Sequence, residues 1–184
     1  MKIIETGLPG LVVIEPRVFE DDRGYFFESY QRDRYLEAGI VKPFIQDNES
    51  RSVKGVVRGL HYQLGEASQA KLVRVVQGCV YDVAVDLRQG SPTFGKWFGL
   101  KIDENNKKQL YVPRGFAHGF SVLSETAIFT YKCDNVYNRD AERSINPFDE
   151  KLGINWQLGT EECIVSEKDT KAPSFDSAQI NFVF

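Results

Sequence analysis

Hydrophobic and polar positions alternate with a period of two through the middle of the chain. Lys71-Leu-Val-Arg-Val-Val-Gln77 and Val80-Tyr-Asp-Val-Ala-Val-Asp-Leu87 are the clearest runs. In a pleated strand every second side chain faces the same way, so each run predicts a strand with one inward face. Gln77-Gly78 between them predicts a hairpin turn. Shorter strands are predicted at residues 97–102, 109–112, 119–122 and 126–131, with Gly or Asn in most of the gaps. One helix is predicted over Arg32 to Ala38, closed by Gly39 as a left-handed cap. From Asn135 onward the pattern is irregular and carries Pro147 and Pro173, which predicts a wrap over the sheets. No linker, repeat or low-complexity tract interrupts the chain, so one domain over residues 1–184 is expected. Many short antiparallel strands at close spacing mean an all-β sandwich, jelly roll or barrel with a few short helices.

Composition narrows the function classes. With 13 Phe, 8 Tyr and 1 Met, rigid aromatics fill much of the core, and aromatic and β-branched residues favour sheet. A net charge of −3 with the signs well mixed argues against a nucleic-acid polymer as partner, which selects a basic face or tail. A small basic pocket for an anionic ligand remains compatible with it. Lys2-Ile-Ile-Glu5 brings an acid before any apolar leader could form, and no apolar run approaches a membrane span. Cys79, Cys133 and Cys163 are odd in number and widely spaced, which predicts free thiols in a reducing cytoplasm.

Chemistry concentrates at a few residues. The chain has only 2 histidines, His61 in Arg58-Gly-Leu-His-Tyr-Gln63 and His118 in Pro113-Arg-Gly-Phe-Ala-His-Gly-Phe120. Each is either a core histidine with its hydrogen bond satisfied or a general base, since imidazole titrates near physiological pH. Lys71 shares a strand face with Val73 and Val75, so its stem points inward; it is either a strand-start lysine whose ammonium snorkels to water or a cation that meets negative charge developing on a substrate oxygen. Tyr131 shares a face with Ala127 and Phe129, and on pattern alone is equally a packing residue or a proton donor. Arg23 and Arg58 lie beside Gly24 and Gly59, where the backbone could approach a phosphate closely; taken singly, each reads rather as a surface arginine. Arg58 and His61 have opposite parity, so they can serve one pocket only if the strand carries a bulge, and Gly59 is the place for it.

Pro113-x-Gly-x-x-His118 resembles the second motif of the cupin superfamily, and Gly59-Leu-His61 falls where the first begins. The pattern His61-Tyr-Gln63 lacks the second imidazole of metal-binding cupins, so no metal and no cofactor is expected. Eight segments together are similar to the dTDP-4-dehydrorhamnose 3,5-epimerase family, in the family's order. They are Arg23-Gly-Tyr-Phe-Phe-Glu28, Gln46-Asp-Asn48, Arg58-Gly-Leu-His-Tyr-Gln63, Ala70-Lys-Leu-Val-Arg74, Gly90-Ser-Pro-Thr-Phe-Gly95, Pro113 to Phe120, Tyr131-Lys-Cys133 and Ser166-Glu-Lys-Asp169.

The resemblance implies a cupin-type jelly roll that epimerises the 4-keto-6-deoxy sugar of a dTDP-linked substrate. It implies His61 as the base, oriented by Asp169, Tyr131 as the acid on the opposite face, and Lys71 beside the enolate oxygen. Arg23, Arg58 and His118 would hold the diphosphate and adjoining sugar groups. Glu28, Gln46, Asn48, Glu142 and Lys168 would complete the site, with Phe26 and Tyr137 as its apolar and stacking walls. A homodimer, with the N-terminal segment crossing to the partner, is implied as well. The departure at Ile145-Asn-Pro-Phe148 touches only a loop. A single-centre epimerase, a ketoisomerase, a metal-dependent cupin and a non-catalytic sugar-binding cupin are the alternatives.

Overall fold

The two runs of alternation in the middle of the chain are both strands, but they do not pair. In a computed structural model that describes residues 1–184, the side chain of Thr160 excepted, they belong to different sheets. The strands are β1 (Lys2–Glu5), β2 (Val12–Glu15), β3 (Val18–Asp21), β4 (Gly24–Phe27), β5 (Gln46–Val53), β6 (Val56–Gln63) and β7 (Lys71–Gln77). They continue with β8 (Cys79–Asp86), β9 (Trp97–Asp103), β10 (Gln109–Val112), β11 (Phe116–Val122), β12 (Thr126–Cys133), β13 (Glu142–Ser144) and β14 (Ile164–Val165). One sheet runs β1-β2-β10-β7-β12-β5 and the other β13-β6-β11-β8-β9, with β14 also on β6; β3 and β4 form a separate two-stranded arm.

The expected hairpin at Gln77-Gly78 is therefore a corner where the chain leaves one sheet for the other. Gly78 has a φ of 81°, and a Cβ there would lie 2.1 Å from the Thr126 carbonyl oxygen, so only glycine fits. A glycine with positive φ serves a hairpin and a corner equally well, which is why local turn chemistry misread this one.

Parity places the core. Val73 and Val75 of β7, Ala127 and Phe129 of β12 and Leu110 of β10 face Val80 and Ala84 of β8, Ile102 of β9, and Phe120 and Val122 of β11. Phe120 and Phe129 stack across this interior with ring centroids 4.3 Å apart. Truncating a fully buried ring such as Phe129 to alanine costs about 3–5 kcal/mol.

The outward residues of β8, Val83 and Val85, pack instead against Leu152, Trp156 and Phe175 of the C-terminal segment, which is the predicted wrap. Trp156 fixes its own loop by donating from Nε1 to the Pro147 carbonyl at 2.7 Å. Over the outer face of the first sheet lies helix α1 (Arg32–Glu37), which buries Tyr35 against Val12, Ile14 and Leu72. Its end carries the expected left-handed glycine: Gly39 has a φ of 85°, and Gly39 and Ile40 donate back to Leu36 and Tyr35. Helix α2 (Glu167–Thr170) is a single turn capped by Ser166, whose side chain accepts from the Asp169 N–H.

Candidate active site

Strand β6 holds the expected irregularity. His61 pairs with His118 and Arg58 pairs with Phe120 on β11, so three steps along β6 match two along β11. The extra residue falls at Gly59-Leu60, where Gly59 has a φ of 130° and a Cβ would lie 2.6 Å from the Gly119 Cα. The bulge cancels the parity conflict, and Arg58 and His61 line one recess together with Lys71, His118 and Tyr131. Within it Arg58 donates from Nε to the Ser52 hydroxyl at 3.1 Å.

His61 meets Asp169 of α2, with Nε2 2.6 Å from Oδ1. Burial would raise the Asp169 carboxyl, but the bonds from His61, the Ser166 hydroxyl and the Gly59 N–H bring it below its ordinary value. An ionised Asp169 accepts only, so Nε2 carries the proton and Nδ1 is the nitrogen left for a substrate.

The opposite wall belongs to the other sheet. Lys71 opens β7, Tyr131 lies near the end of β12, and Asn48 pairs with Tyr131 from β5. With His61, His118, Gln46, Gln63, Gln69, Tyr137 and Glu142 they enclose a cavity of about 320 Å³. An adjoining recess of about 130 Å³ reaches Arg58. Lys71 forms no ion pair among the described residues, and its Nζ stands 5.6 Å from the Tyr131 ring centroid. Burial lowers the Lys71 ammonium from its usual value, opposed by Cys133, Asp82 and Glu142. Burial raises the Tyr131 phenol, which keeps its proton in place at neutral pH.

His118 lines the same cavity with one of its ring nitrogens already engaged. Its Nε2 lies 3.0 Å from both oxygens of Asp82, a fully buried residue of β8. Asp82 was not among the residues expected to matter. Its signal was present in the alternation, because Val80, Asp82 and Ala84 share the inward face and a carboxylate among them has to be paired. Burial pushes the Asp82 carboxyl up, and His118 and Lys71 pull against it.

Polar residues tie the rim together. Glu142 accepts from the Tyr137 hydroxyl at 2.9 Å and from Lys168 Nζ at 2.5 Å. Gln46 accepts from the Tyr137 N–H at 2.8 Å and donates to Asn48 at 3.1 Å. Burial opposes but does not outweigh the Lys168 and Tyr137 bonds, and the Glu142 carboxyl lies below its ordinary value. Lys168 itself lines a neighbouring opening with His61 and Asp169.

Three expected residues are not brought to this cavity within the chain. Arg23 lies at the tip of the β3–β4 arm, ion-paired to Asp21, and Phe26 on the same arm is 71% exposed. Glu28, just past β4, pairs with Arg34 of α1 at 3.0 Å.

The site thus combines a carboxylate-oriented imidazole on one wall with a lysine and a protonated phenol on the other. No group of three His, Cys, Asp or Glu able to hold a metal ion occurs among the described residues. Such a site can move a proton between carbon and solvent at an activated C–H, and the fold and site define a cupin-type epimerase. The family model described as dTDP-4-dehydrorhamnose 3,5-epimerase matches residues 5–177, and the chain belongs to that family. It is 50% identical over 179 residues to the dTDP-4-dehydrorhamnose 3,5-epimerase of Pseudomonas aeruginosa, covering 97% of this chain and 98% of that one. It superposes with a TM-score of 0.92 and 52% identity on the crystal structure of that enzyme from Elizabethkingia anophelis, covering 96% of this chain and 97% of that one. A Legionella pneumophila dTDP-6-deoxy-D-glucose-3,5-epimerase in complex with dTDP-4-keto-L-rhamnose also matches, with a TM-score of 0.92 and 50% identity over 96% of this chain and 93% of that one.

Proposed function

We propose that the chain converts dTDP-4-dehydro-6-deoxy-D-glucose to dTDP-4-dehydro-L-rhamnose by inverting C3 and C5 through enolates. Family membership and the placement of His61 and Tyr131 on facing sheets support this reading. Both carbons are alpha to the C4 carbonyl, so one oxygen accepts the charge of either carbanion. Nδ1 of His61 takes the proton, and the C–H electron pair becomes the enolate double bond while the carbonyl oxygen gains the charge. Lys71 donates to that oxygen, a contribution of about 3–4 kcal/mol for a preorganised donor. Tyr131 returns a proton to the opposite face and recovers its own from water.

Arg58 and Lys168 hold the diphosphate, Gln46, Asn48 and Glu142 hold the nucleotide sugar, and Tyr137 forms a wall beside them. The exposed arm bearing Phe19, Arg23, Tyr25 and Phe26 supports a homodimer in which it reaches the partner's site, which light scattering of the purified protein checks. Three free cysteines support a reducing, cytoplasmic setting, and no helix among the described residues is long and apolar enough to cross a membrane. The decisive experiment is incubation with dTDP-4-dehydro-6-deoxy-D-glucose in D₂O, followed by NMR of the sugar. Deuterium at both C3 and C5 supports the double epimerase. Deuterium at one centre makes it a single-centre epimerase, and at neither excludes the activity.

A further inference from the structure

Asp82 is a fully buried carboxylate that the proton-transfer steps leave unused. It is placed by register: His118 of β11 pairs with Ala84 of β8, and Asp82 lies two residues along on the same inward face, a diagonal neighbour. Val80 and Ala84 flank it on the inward face and Phe120 pairs with it across the sheet, while His118 and Lys71 are the partners that oppose the rise burial imposes on its carboxyl. The His118 ring is held in plane by Phe129, with centroids 6.2 Å apart and an interplanar angle of 22°.

Both Asp82 oxygens are 3.0 Å from Nε2. A protonated carboxyl would offer two unlike oxygens, one a donor and one an acceptor. One N–H on Nε2 shared by both oxygens matches the two equal distances; in that state the carboxylate only accepts, with His118 and Lys71 opposing the rise that burial imposes on it. In this arrangement Nε2 of His118 carries the proton. In the neutral ring Nδ1 is then a lone pair without a partner among the described residues, on a side chain that lines the cavity beside Lys71 and Tyr131.

We propose that Asp82 is a positioning residue that locks the His118 tautomer, so that Nδ1 accepts a hydrogen bond from a hydroxyl of the substrate sugar. This rests on the function proposed above and changes the part that His118 plays in it. A lone pair repels a phosphate oxygen and attracts an O–H. His118 thus reads the sugar, and the diphosphate is left to the cations Arg58 and Lys168. The same bond would anchor the sugar ring while the nucleotide end stays fixed.

Two measurements test it. In protein labelled with ¹⁵N-histidine only 2 residues contribute, and a His61→Asn variant assigns them. His118 is expected to show a protonated Nε2 and an unprotonated Nδ1 in the unliganded protein; a protonated Nδ1 overturns the proposal whatever the ligand. Calorimetric titration of Asp82→Asn with dTDP and with unreactive dTDP-glucose is the second measurement. The variant amide can donate to the ring and reverse the tautomer. The dTDP affinity is expected to stay within about twofold of wild type, while the dTDP-glucose affinity falls on the order of tenfold. Equal losses for both ligands, or none for dTDP-glucose, overturn the proposal. Wild-type protein that binds neither ligand removes the function reading instead, and the tautomer measurement still decides the role of Asp82.

Discussion

Nε2 of His61 lies 2.6 Å from Oδ1 of Asp169, a residue 108 positions further along the chain. The carboxylate arrives on a single helical turn whose cap, Ser166, accepts from the Asp169 N–H. His61→Ala is expected to lower kcat by about 10⁴-fold, the upper end of what a positioned base contributes. Asp169→Asn keeps the imidazole but loosens its tautomer and orientation, with an expected loss on the order of 10²-fold. Both variants should bind dTDP normally, which titration calorimetry checks. A wild-type rate in His61→Ala would move the base elsewhere.

Tyr131→Phe separates the two halves of the reaction. The ring and its packing against Phe129 remain, and only the proton donor is lost. Abstraction by His61 continues, so solvent deuterium is expected to enter substrate carbon faster than inverted product accumulates. Equal slowing of exchange and inversion, followed by NMR in D₂O, would give Tyr131 a role in abstraction as well.

Arg58 reaches the cavity only because of the bulge. Arg58→Ala is expected to weaken dTDP binding by about 1.5–3 kcal/mol, the scale of a charged hydrogen bond. Gly59→Ala forces a Cβ against the Gly119 backbone at a φ of 130° and should damage both strands. It is expected to lower the melting temperature as well as dTDP affinity, whereas Arg58→Ala should change affinity alone. A melting temperature that drops equally in both would make Arg58 structural.

Two carboxyls make acid stability predictable. Asp86 is fully buried, and although burial raises its carboxyl, the bonds from Arg88, Ser91 and Thr93 bring it below the usual 3.8. Asp169 is lowered from the same value. A group with a depressed folded-state pKa stabilises fully above its unfolded value and loses that contribution as pH falls through the folded one. Stability from these residues should therefore hold at neutral pH and decline below about pH 4. Urea unfolding of Asp86→Asn against wild type checks this: the variant should be weaker at pH 7 and the gap should narrow toward pH 3.

The same residues show what was legible in the sequence. Alternation located β7, β8 and β12 and set the inward faces of Lys71 and Tyr131, because a half-buried strand writes its burial into every second residue. Strand β5, Gln-Asp-Asn-Glu-Ser-Arg-Ser-Val, was invisible, since it is an edge strand with almost no apolar face. Parity also predicted the Gly59 bulge from the conflict between Arg58 and His61. It did not reveal the Gly78 corner, because strand partners are chosen by distant residues. Phe26 rests on resemblance alone and Arg23 on a neighbouring glycine as well, and within one chain both lie on the arm, away from the cavity.

The stacked rings of Phe120 and Phe129 belong to different sheets, and so do His61 and Tyr131, the proposed base and acid. The separation between His61 and Tyr131 is accordingly set by the thickness of the hydrocarbon layer beneath them. The core works as a spacer gauge for the reaction. Phe129→Leu leaves space into which the walls partly relax, and a proposed base that has to reach two carbons of one ring would feel that change unequally. The ratio of deuterium entering C3 to that entering C5 is therefore expected to change in Phe129→Leu, which NMR in D₂O checks.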